Sequence, residues 1–246
     1  MIHVVGLSGG KDSVCLALAL REKNPDRDYV YFYTPTGDEL PEMVAHMAKI
    51  ETLLGQPIIK ATNAGRTLDD WIKHFEMIPN GRARWCTRLL KIETCKAFLL
   101  SLTSPVLYIG LRADEPERKG GLYDGIPCVY PLRDWGWGLR EVWGFLKERG
   151  IAIPARTDCA TCFFQRIGEW YDLWHDHPDI YAKAEEHERR VTAERGRQAT
   201  YRRNNRDSWP TALADLRAEF ERGSRPRGAG QTGLFENTDQ CRVCRL

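Results

Sequence analysis

The sequence has no long apolar run, no internal repeat and almost no net charge. No stretch approaches the roughly 18–20 apolar residues of a membrane span, and the first residues lack the basic and apolar regions of a signal peptide. We therefore expect a cytoplasmic protein without a membrane partner. The 36 basic and 34 acidic residues leave a net charge of +2, which gives no global electrostatic argument for nucleic acid. The 246 residues suffice for one sizeable α/β domain with an appended module.

Eight cysteines are present, and they are the unusual feature of the composition. Without an export signal we expect metal ligands, catalytic groups or packing residues rather than disulfides. Cys159 with Cys162, and Cys241 with Cys244, each have the two-residue gap that lets two thiolates hold one metal ion. Two such pairs make a tetrahedral set. The stretch between the pairs is far longer than in a zinc knuckle, so other ligand sets stay open.

Strand-like and helical patterns alternate over the first two thirds of the chain. Apolar runs at residues 2–7, 29–33, 57–61 and 106–110 predict strands, and the spacing of apolar residues at 41–54 predicts one of the intervening helices. Strands that alternate with helices predict a mostly parallel sheet with helices on both faces. The prediction is therefore an α/β fold of Rossmann-like type.

After residue 158, where the predicted α/β domain ends, the patterns become helical and rich in aromatic residues. Residues 159–222 are predicted as a helical extension, and residues 223–246 as a flexible linker with a Cys-x-x-Cys tail. The stretch 189–206 carries seven arginines and one acid. It is a candidate for following a nucleic-acid backbone and stacking a base, and the alternative is a charged helix face opposite nearby glutamates. The arginines are Arg189, Arg190, Arg195, Arg197, Arg202, Arg203 and Arg206, with Tyr201 and Trp209 nearby.

A glycine-rich loop with a lysine lies directly between the first predicted strand and the first predicted helix. Two glycines let successive N–H groups point at one anion, the helix start adds partial positive charge, and the lysine supplies a full charge. The expected ligand is a phosphate or a pyrophosphate. The alternative is that the loop is an ordinary capped turn between strand and helix. The spacing is neither that of a Walker A loop nor that of a dinucleotide turn. The residues are Ser8, Gly9, Gly10, Lys11, Asp12 and Ser13.

This loop resembles the signature of the PP-loop ATP pyrophosphatase superfamily, and further segments resemble the phosphoadenylyl sulfate (PAPS) reductase family. The segments 36–42, 84–91, 110–118 and 130–135 follow in the family's order, so the resemblance covers about residues 2–165. It implies an adenine nucleotide alpha hydrolase-like fold that binds ATP with Mg²⁺.

The resemblance also implies which residues hold the nucleotide. Asp38 and Glu39 would hold a ribose hydroxyl or Mg²⁺, and the alternative is that they are helix N-terminal acids that favour the macrodipole. Arg84, Arg88 and Lys91 have i, i+4 and i+7 spacing, so one helical face would present three cations to phosphates or a sulfate, unless it is a solvated basic face. Arg112 follows a strand end, where ligand-binding residues gather in this fold, and the alternative there is a surface ion pair.

Two departures from the reductase pattern bear on the reaction. Reductases that use PAPS commonly lack the lysine-bearing loop, whereas Lys11 and Asp12 are present here, and this tail lacks the Glu-Cys-Gly-x-His motif of those enzymes. The resemblance then implies cleavage of ATP to an adenylate and pyrophosphate, with sulfur transfer to a nucleic acid or a small molecule and a sulfur donor protein as a partner. The alternatives are a thiol-dependent PAPS or adenylyl sulfate reductase, and a non-catalytic binding module.

Cys86 complicates the metal prediction. It resembles a cysteine that, in adenylyl sulfate reductases, ligates a 4Fe-4S cluster together with a later Cys-x-x-Cys, and with Lys11 and Asp12 it is predicted to be catalytic. One reading places a 4Fe-4S cluster or Zn²⁺ on Cys159, Cys162, Cys241 and Cys244. A second interpretation places a cluster on Cys86, Cys159 and Cys162. In a third interpretation Cys241 and Cys244 of the tail form a redox-active pair.

Overall fold

One parallel sheet of five strands forms the centre of the molecule. The structure is a computed structural model, and it describes residues 1–118, 120, 125–203 and 207–230. The strand order is β3-β2-β1-β4-β5, and every pair is parallel, which confirms the predicted α/β fold. The strands are β1 (Ile2–Gly6), β2 (Tyr29–Tyr33), β3 (Ile58–Lys60), β4 (Pro105–Tyr108) and β5 (Cys128–Val129).

Ten α-helices lie within the described residues, and a π-helical turn at Arg88–Glu93 joins the fourth helix to the fifth. None of the helices in the described part of the chain is long and apolar enough to cross a membrane. The helices are α1 (Lys11–Lys23), α2 (Pro41–Leu54), α3 (Leu68–Phe75), α4 (Trp85–Thr87), α5 (Thr94–Leu100), α6 (Pro131–Asp134), α7 (Leu139–Glu148), α8 (Ile167–Asp176), α9 (Pro178–Arg195) and α10 (Leu213–Glu221).

Alternate residues of the strands point to opposite faces of the sheet, and both faces are covered. On one face Val4 packs with Phe32 and with Leu99 of α5. On the other face Val5 and Tyr31 pack in the larger core that includes α1, α2 and α7. Because both faces are buried, the strands read as apolar runs rather than as alternating patterns.

The sheet order creates a crevice at the carboxyl ends of β1 and β4. The chain passes from β1 to β2 on one side, whereas β4 pairs with β1 on the other side. The loops that follow β1 and β4 therefore lead to opposite sides, and a crevice is left between them. Open α/β sheets bind ligands at such a crevice.

The C-terminal helices pack on the same core as the sheet domain. Trp170 of α8 and Leu213 of α10 are fully buried in the cluster that contains Val5. His187 of α9 lies 2.9 Å, from Nε2 to Oδ1, from Asp69 of α3. Helices α8, α9 and α10 thus pack against the α/β core, and the predicted domain bounds stay a prediction.

The first part of the predicted linker lies against α8. Gly230 N donates to Asp172 Oδ1 at 2.7 Å, and a Cβ on Gly168 would come within 2.8 Å of the Gly228 backbone. The tail that carries Cys241 and Cys244 lies outside the described residues.

Candidate functional site

The loop after β1 has a backbone that requires glycine at one position. Gly9 has φ +72°, and a Cβ there would lie 1.9 Å from Met43 Cε of α2. His46 Nε2 lies 3.0 Å from Gly9 O, and burial lowers the pKa of His46, so a neutral imidazole holds this carbonyl in place. The helix α2 therefore supports the loop from below.

Ser13 cross-links the two ends of this loop. Ser8 N donates to Ser13 Oγ at 3.1 Å, and Ser13 Oγ donates to Gly10 O at 3.0 Å. Among the described residues, the N–H groups of Gly9 and Gly10 have no hydrogen-bond acceptor. These donors, at the start of a 13-residue helix, are suited to an anion.

Lys11 is the first residue of α1 and is held close to the loop. Its side chain is 13% exposed, and Nζ lies 3.5 Å from Asp12 Oδ2. The arrangement gives one full positive charge and two main-chain donors within one short segment. It can neutralise a phosphate or a pyrophosphate.

Arg112 lies beneath this segment, after β4. Its side chain is 2% exposed, and Nη1 lies 3.3 Å from both carboxylate oxygens of Asp12. Nε donates to Asp114 Oδ1 at 2.8 Å, and Nη2 lies 3.5 Å from Glu115 Oε1. This guanidinium therefore positions Asp12, and the nucleotide role of Arg112 stays a prediction.

A close approach of two backbones makes that contact possible. A Cβ on Gly110 would lie 2.9 Å from the carbonyl oxygen of Asp12, so the backbone after β4 is in direct contact with the start of α1. Arg133 Nη2 then donates to Glu115 O at 2.6 Å and to Arg118 O at 2.5 Å. Sequence reasoning did not assign Arg133 a role, although it stands in a motif that the resemblance singled out.

Glu39 closes the turn that follows β2. Its Oε1 accepts from Thr36 N at 2.6 Å and from Thr36 Oγ1 at 2.7 Å, and its Oε2 accepts from Gly37 N at 3.0 Å. Both carboxylate oxygens therefore have protein donors. The assignment of Glu39 to ribose or Mg²⁺ stays a prediction.

Asp38 fastens the Cys-x-x-Cys loop to the sheet domain. Its Oδ2 accepts from Thr161 N at 2.9 Å and from Thr161 Oγ1 at 2.6 Å, and its main-chain oxygen accepts from Ala160 N at 2.6 Å. Burial raises the pKa of Asp38 to about 6. The nucleotide role of Asp38 stays a prediction. Its carboxylate accepts hydrogen bonds from Thr161, which lies between the two cysteines of the Cys-x-x-Cys.

A second buried side chain shapes the same loop. Arg156 Nη2 donates to Cys159 O at 2.9 Å, and Nε donates to Asp158 Oδ1 at 3.1 Å. Arg156 Nη1 also donates to Gln165 Oε1 at 3.1 Å. The loop is thus held on both sides, and Arg156 had no distinguishing signal in the sequence because it belongs to no motif.

Cys86 meets the Cys159–Cys162 pair, which is distant in sequence, at one small cavity. We name this cavity of about 30 Å³ the cysteine pocket. Its volume is about that of a single water molecule. The residues that line it are Thr36, Leu68, Pro79, Cys86, Thr87, Lys91, Cys159, Thr161, Cys162, Phe163 and Phe164.

The thiols of the cysteine pocket are held in their neutral form. Burial raises the pKa of Cys159 to about 12 and also raises the pKa of Cys86 and Cys162, while the positive charge of Lys91 acts in the opposite direction on all three. Over the described ranges, no three His, Cys, Asp or Glu side chains form a ready group of metal ligands. The three thiols therefore line one pocket, but they are not placed to contact a single metal ion together.

The three predicted cations of residues 84–91 do not lie together on one face. Lys91 lines the cysteine pocket, and Arg84 lies 5.3 Å from the ring centre of Phe164, which lines it too. Arg88 is exposed and lies 3.2 Å from Glu93. The π-helical turn that begins at Arg88 changes the geometry of the step from Arg88 to Lys91, on which part of the prediction depended.

The arginine stretch is only partly available to a ligand. Tyr201 is buried, and its hydroxyl lies 2.8 Å from His187 Nδ1, so it cannot stack a base as predicted. Arg206 lies outside the described residues. Arg189 pairs with Glu186, Arg190 lies 3.8 Å from Asp69, Arg195 donates to the carbonyls of Phe75 and Glu76, Arg202 pairs with Asp207, and Arg197 and Arg203 are exposed.

Comparisons with known proteins show the family of this chain. The chain is similar to a PAPS reductase from Candida auris in a phosphate complex, with 16% identity, a TM-score of 0.48, and coverage of 62% of this chain and 75% of that chain. It is similar to the U34-tRNA thiolase NcsA from Methanococcus maripaludis with its 4Fe-4S cluster, with 17% identity, a TM-score of 0.49, and coverage of 78% of this chain and 72% of that chain. A search of curated proteins finds no match. The model of the phosphoadenosine phosphosulfate reductase domain matches residues 2–172, and the chain therefore belongs to this family.

Proposed function

We propose that this chain is an enzyme that binds ATP at the loop after β1 and cleaves it to an adenylate and pyrophosphate. The observation that carries the proposal is that Lys11 lies beside the N–H groups of Gly9 and Gly10 at the start of α1. These N–H groups have no acceptor among the described residues. A pyrophosphate group needs this density of donors and positive charge. The adenosine part would lie in the crevice between the ends of β1 and β4.

The proposed step is a displacement at the α-phosphorus. A nucleophilic oxygen of the acceptor forms a bond to this phosphorus, and the bond from it to the bridging oxygen of the β-phosphate breaks. The electron pair leaves with pyrophosphate, where Lys11, the two main-chain donors and the Mg²⁺ bound to ATP stabilise the charge. Asp12, fixed by Arg112, keeps Lys11 positioned. A sulfur nucleophile can then displace AMP from the activated acceptor.

The cysteine pocket fits a thiolate-bound metal group in the kind of donors it provides. Cys86, Cys159 and Cys162 line it, and the positive charge of Lys91 favours their thiolate forms. We propose that these cysteines hold a 4Fe-4S cluster, for which the cavity of about 30 Å³ would have to widen. Zn²⁺, which needs less room, is the alternative, with Cys241 or Cys244 as a further ligand in either case. When bound, such a cluster would supply an iron that can hold sulfur.

Nucleotide binding tests the proposal without knowledge of the acceptor. Calorimetry of ATP, AMP and PAPS binding should give the tightest binding for Mg²⁺–ATP, and Lys11→Ala should weaken it about tenfold or more while changing AMP binding little. Lys49→Ala, an exposed lysine of α2, is the matched control. Equal affinity of the Lys11→Ala variant and the wild type for ATP would remove the basis of the proposal. Tighter binding of PAPS than ATP would favour the reductase alternative.

A further inference from the structure

A groove lined by arginines runs between the segment that precedes α4 and the segment that follows α9. We name it the basic groove, and its volume is about 650 Å³. Residues 77–82 form one wall, and residues 191–203 form the other. This is the size range of sites that hold an organic ligand rather than a single ion.

The basic groove is positively charged without an acidic counterpart. Five of its twelve lining residues are arginines, and none is Asp or Glu. Arg82, Arg197 and Arg203 are exposed, and within the described ranges their guanidinium groups have no hydrogen-bond or ion-pair partner; the main-chain N–H of Arg82 donates to Asn80 Oδ1. Among the described residues Arg195 donates only to main-chain carbonyls and has no carboxylate partner, whereas Arg202 is paired with Asp207.

The arginines of the basic groove come together only in the folded chain. Arg82 belongs to the segment before α4, whereas Arg197 and Arg203 follow α9. A Cβ on Gly81 would lie 1.9 Å from Arg203 Nη2, so this guanidinium covers the opposite wall. The family match ends at residue 172, and one wall of the groove therefore lies outside it.

The basic groove adjoins the cysteine pocket. Pro79 lines the cysteine pocket, and its neighbours Ile78 and Asn80 line the basic groove. A single short segment thus separates the two cavities. A chain bound in the groove would lie beside the pocket in which the thiols meet.

We propose that the basic groove binds a single strand of nucleic acid, which is the acceptor of the proposed reaction. Arginine is suited to phosphate because its planar group donates in a fork, and three unpartnered arginines along one groove fit successive phosphates. The described lining contains no aromatic side chain to stack a base. Binding is therefore expected to be governed by phosphates, to be insensitive to sequence and to fall steeply with salt.

The test measures binding of a labelled single-stranded oligonucleotide of about ten nucleotides to the full chain by fluorescence anisotropy. The variant Arg82→Ala/Arg197→Ala/Arg203→Ala should weaken binding at least about tenfold. The slope of log K against log salt should become shallower by about 2, since each phosphate contact on a single strand contributes about 0.7.

A charge-matched control separates the groove from general electrostatics. Arg140→Ala/Arg189→Ala/Arg222→Ala removes the same charge from exposed arginines that pair with Glu141, Glu186 and Glu219. This variant should bind within about twofold of the wild type at moderate salt. An equal loss in both variants would overturn the proposal, as would unchanged binding in the groove variant. Tighter binding of polyglutamate or of a duplex of the same length would also overturn it.

This inference depends on the proposed function only for the role of the strand as acceptor, and the two can fail separately. ATP binding by the groove variant should equal that of the wild type, because none of the three arginines is near Lys11 in the contacts of the structure. Loss of oligonucleotide binding with ATP binding intact supports the groove. If ATP does not bind while the oligonucleotide still binds through the groove, the adenylation proposal fails and the nucleic-acid site stands.

Discussion

Arg112 Nη1 lies 3.3 Å from both carboxylate oxygens of Asp12, although one hundred residues separate the two in sequence. Arg112 is buried with Asp12, Asp114 and Glu115 around it, and Glu115 is itself buried. Arg112→Met would leave these carboxylates without their shared cation. We expect the free energy of unfolding in urea to fall by about 3 kcal/mol.

A surface arginine provides the comparison for this prediction. Arg140→Met breaks an exposed pair with Glu141 and should lower the free energy of unfolding by less than about 1 kcal/mol. Similar values for Arg112→Met and Arg140→Met would contradict the assignment of Arg112 as the residue that fixes the loop.

Two adjacent glycines of the loop should respond differently to alanine. Gly9→Ala places a methyl group against Met43 in a backbone region that favours glycine, and we expect it to lower the free energy of unfolding by about 1–3 kcal/mol. Gly10 has φ −73°, and the nearest atoms to an added Cβ are 3.5 Å away. Gly10→Ala should therefore melt within a few degrees of the wild type, and a comparable loss in both would argue against the described loop.

Glu188 should make the stability of the chain fall between pH 6 and 8. Its carboxylate accepts from Tyr201 N at 2.9 Å and from Leu213 N at 2.7 Å, and burial raises the pKa of Glu188 to about 8. The folded protein then holds a proton that the unfolded chain has lost, so this contribution is present in full at low pH and is lost as the pH rises through 8. We expect a fall of about 2 kcal/mol over this window relative to Glu188→Gln, since the contributions of the other groups are common to both proteins.

Thermal unfolding at several pH values checks the role of Glu188. The window begins at pH 6 because Asp38, whose pKa burial raises to about 6, contributes its own fall below that value. Glu188→Gln cannot titrate, so its stability should not fall between pH 6 and 8. It should rise between pH 6 and 7, because burial lowers the pKa of His46 and His187 and the unfolded chain binds more protons at these groups than the folded protein does. A wild-type slope that persists in Glu188→Gln would assign the effect to other groups.

The sheet and its phosphate loop could be predicted because local patterns determine them. The runs at 29–33 and 41–54 coincide with β2 and α2, and the glycine-lysine segment lies where the strand-helix order placed it. Propensity and periodicity act over a few residues, and the parallel topology follows from their order.

The partners of the predicted site residues could not be predicted, since they come from distant segments. No local pattern links Asp38 to Thr161, or indicates that Arg112 is buried against Asp12. The prediction that Arg84, Arg88 and Lys91 share one helical face also assumed a regular α-helix. The π-helical turn at Arg88–Glu93 adds a residue to the helical turn and changes this spacing. Tertiary packing decides each of these contacts.

The cysteine pocket predicts which substitutions remove a bound metal. After anaerobic purification, Cys86→Ser, Cys159→Ser and Cys162→Ser should each lower the iron or zinc content, because each removes one thiolate. Cys128→Ser is the control, since this cysteine lies on β5 away from the pocket. Elemental analysis gives the readout, and full metal content in Cys86→Ser would exclude Cys86 as a ligand.

Release of the Cys-x-x-Cys loop should expose its thiols. In the metal-free protein, Cys159 and Cys162 should react slowly with a thiol reagent at pH 8, because burial raises the pKa of both. Asp38→Ala removes the acceptor of two Thr161 hydrogen bonds and should speed labelling about tenfold or more. Asp26→Ala, an exposed acid outside the site, should leave the rate unchanged. Equal rates in the Asp38→Ala variant and the wild type would contradict this role of Asp38.

The products formed from ATP test the central claim most directly. ATP labelled at the α-phosphate, and in a parallel reaction ATP labelled at the γ-phosphate, would be incubated with the anaerobically prepared protein, Mg²⁺ and single-stranded nucleic acid. The labelled products would then be separated. The account predicts labelled AMP or an AMP adduct together with pyrophosphate, and loss of both with Lys11→Ala but not with Lys49→Ala. ADP with inorganic phosphate, or undiminished pyrophosphate release by Lys11→Ala, would contradict it.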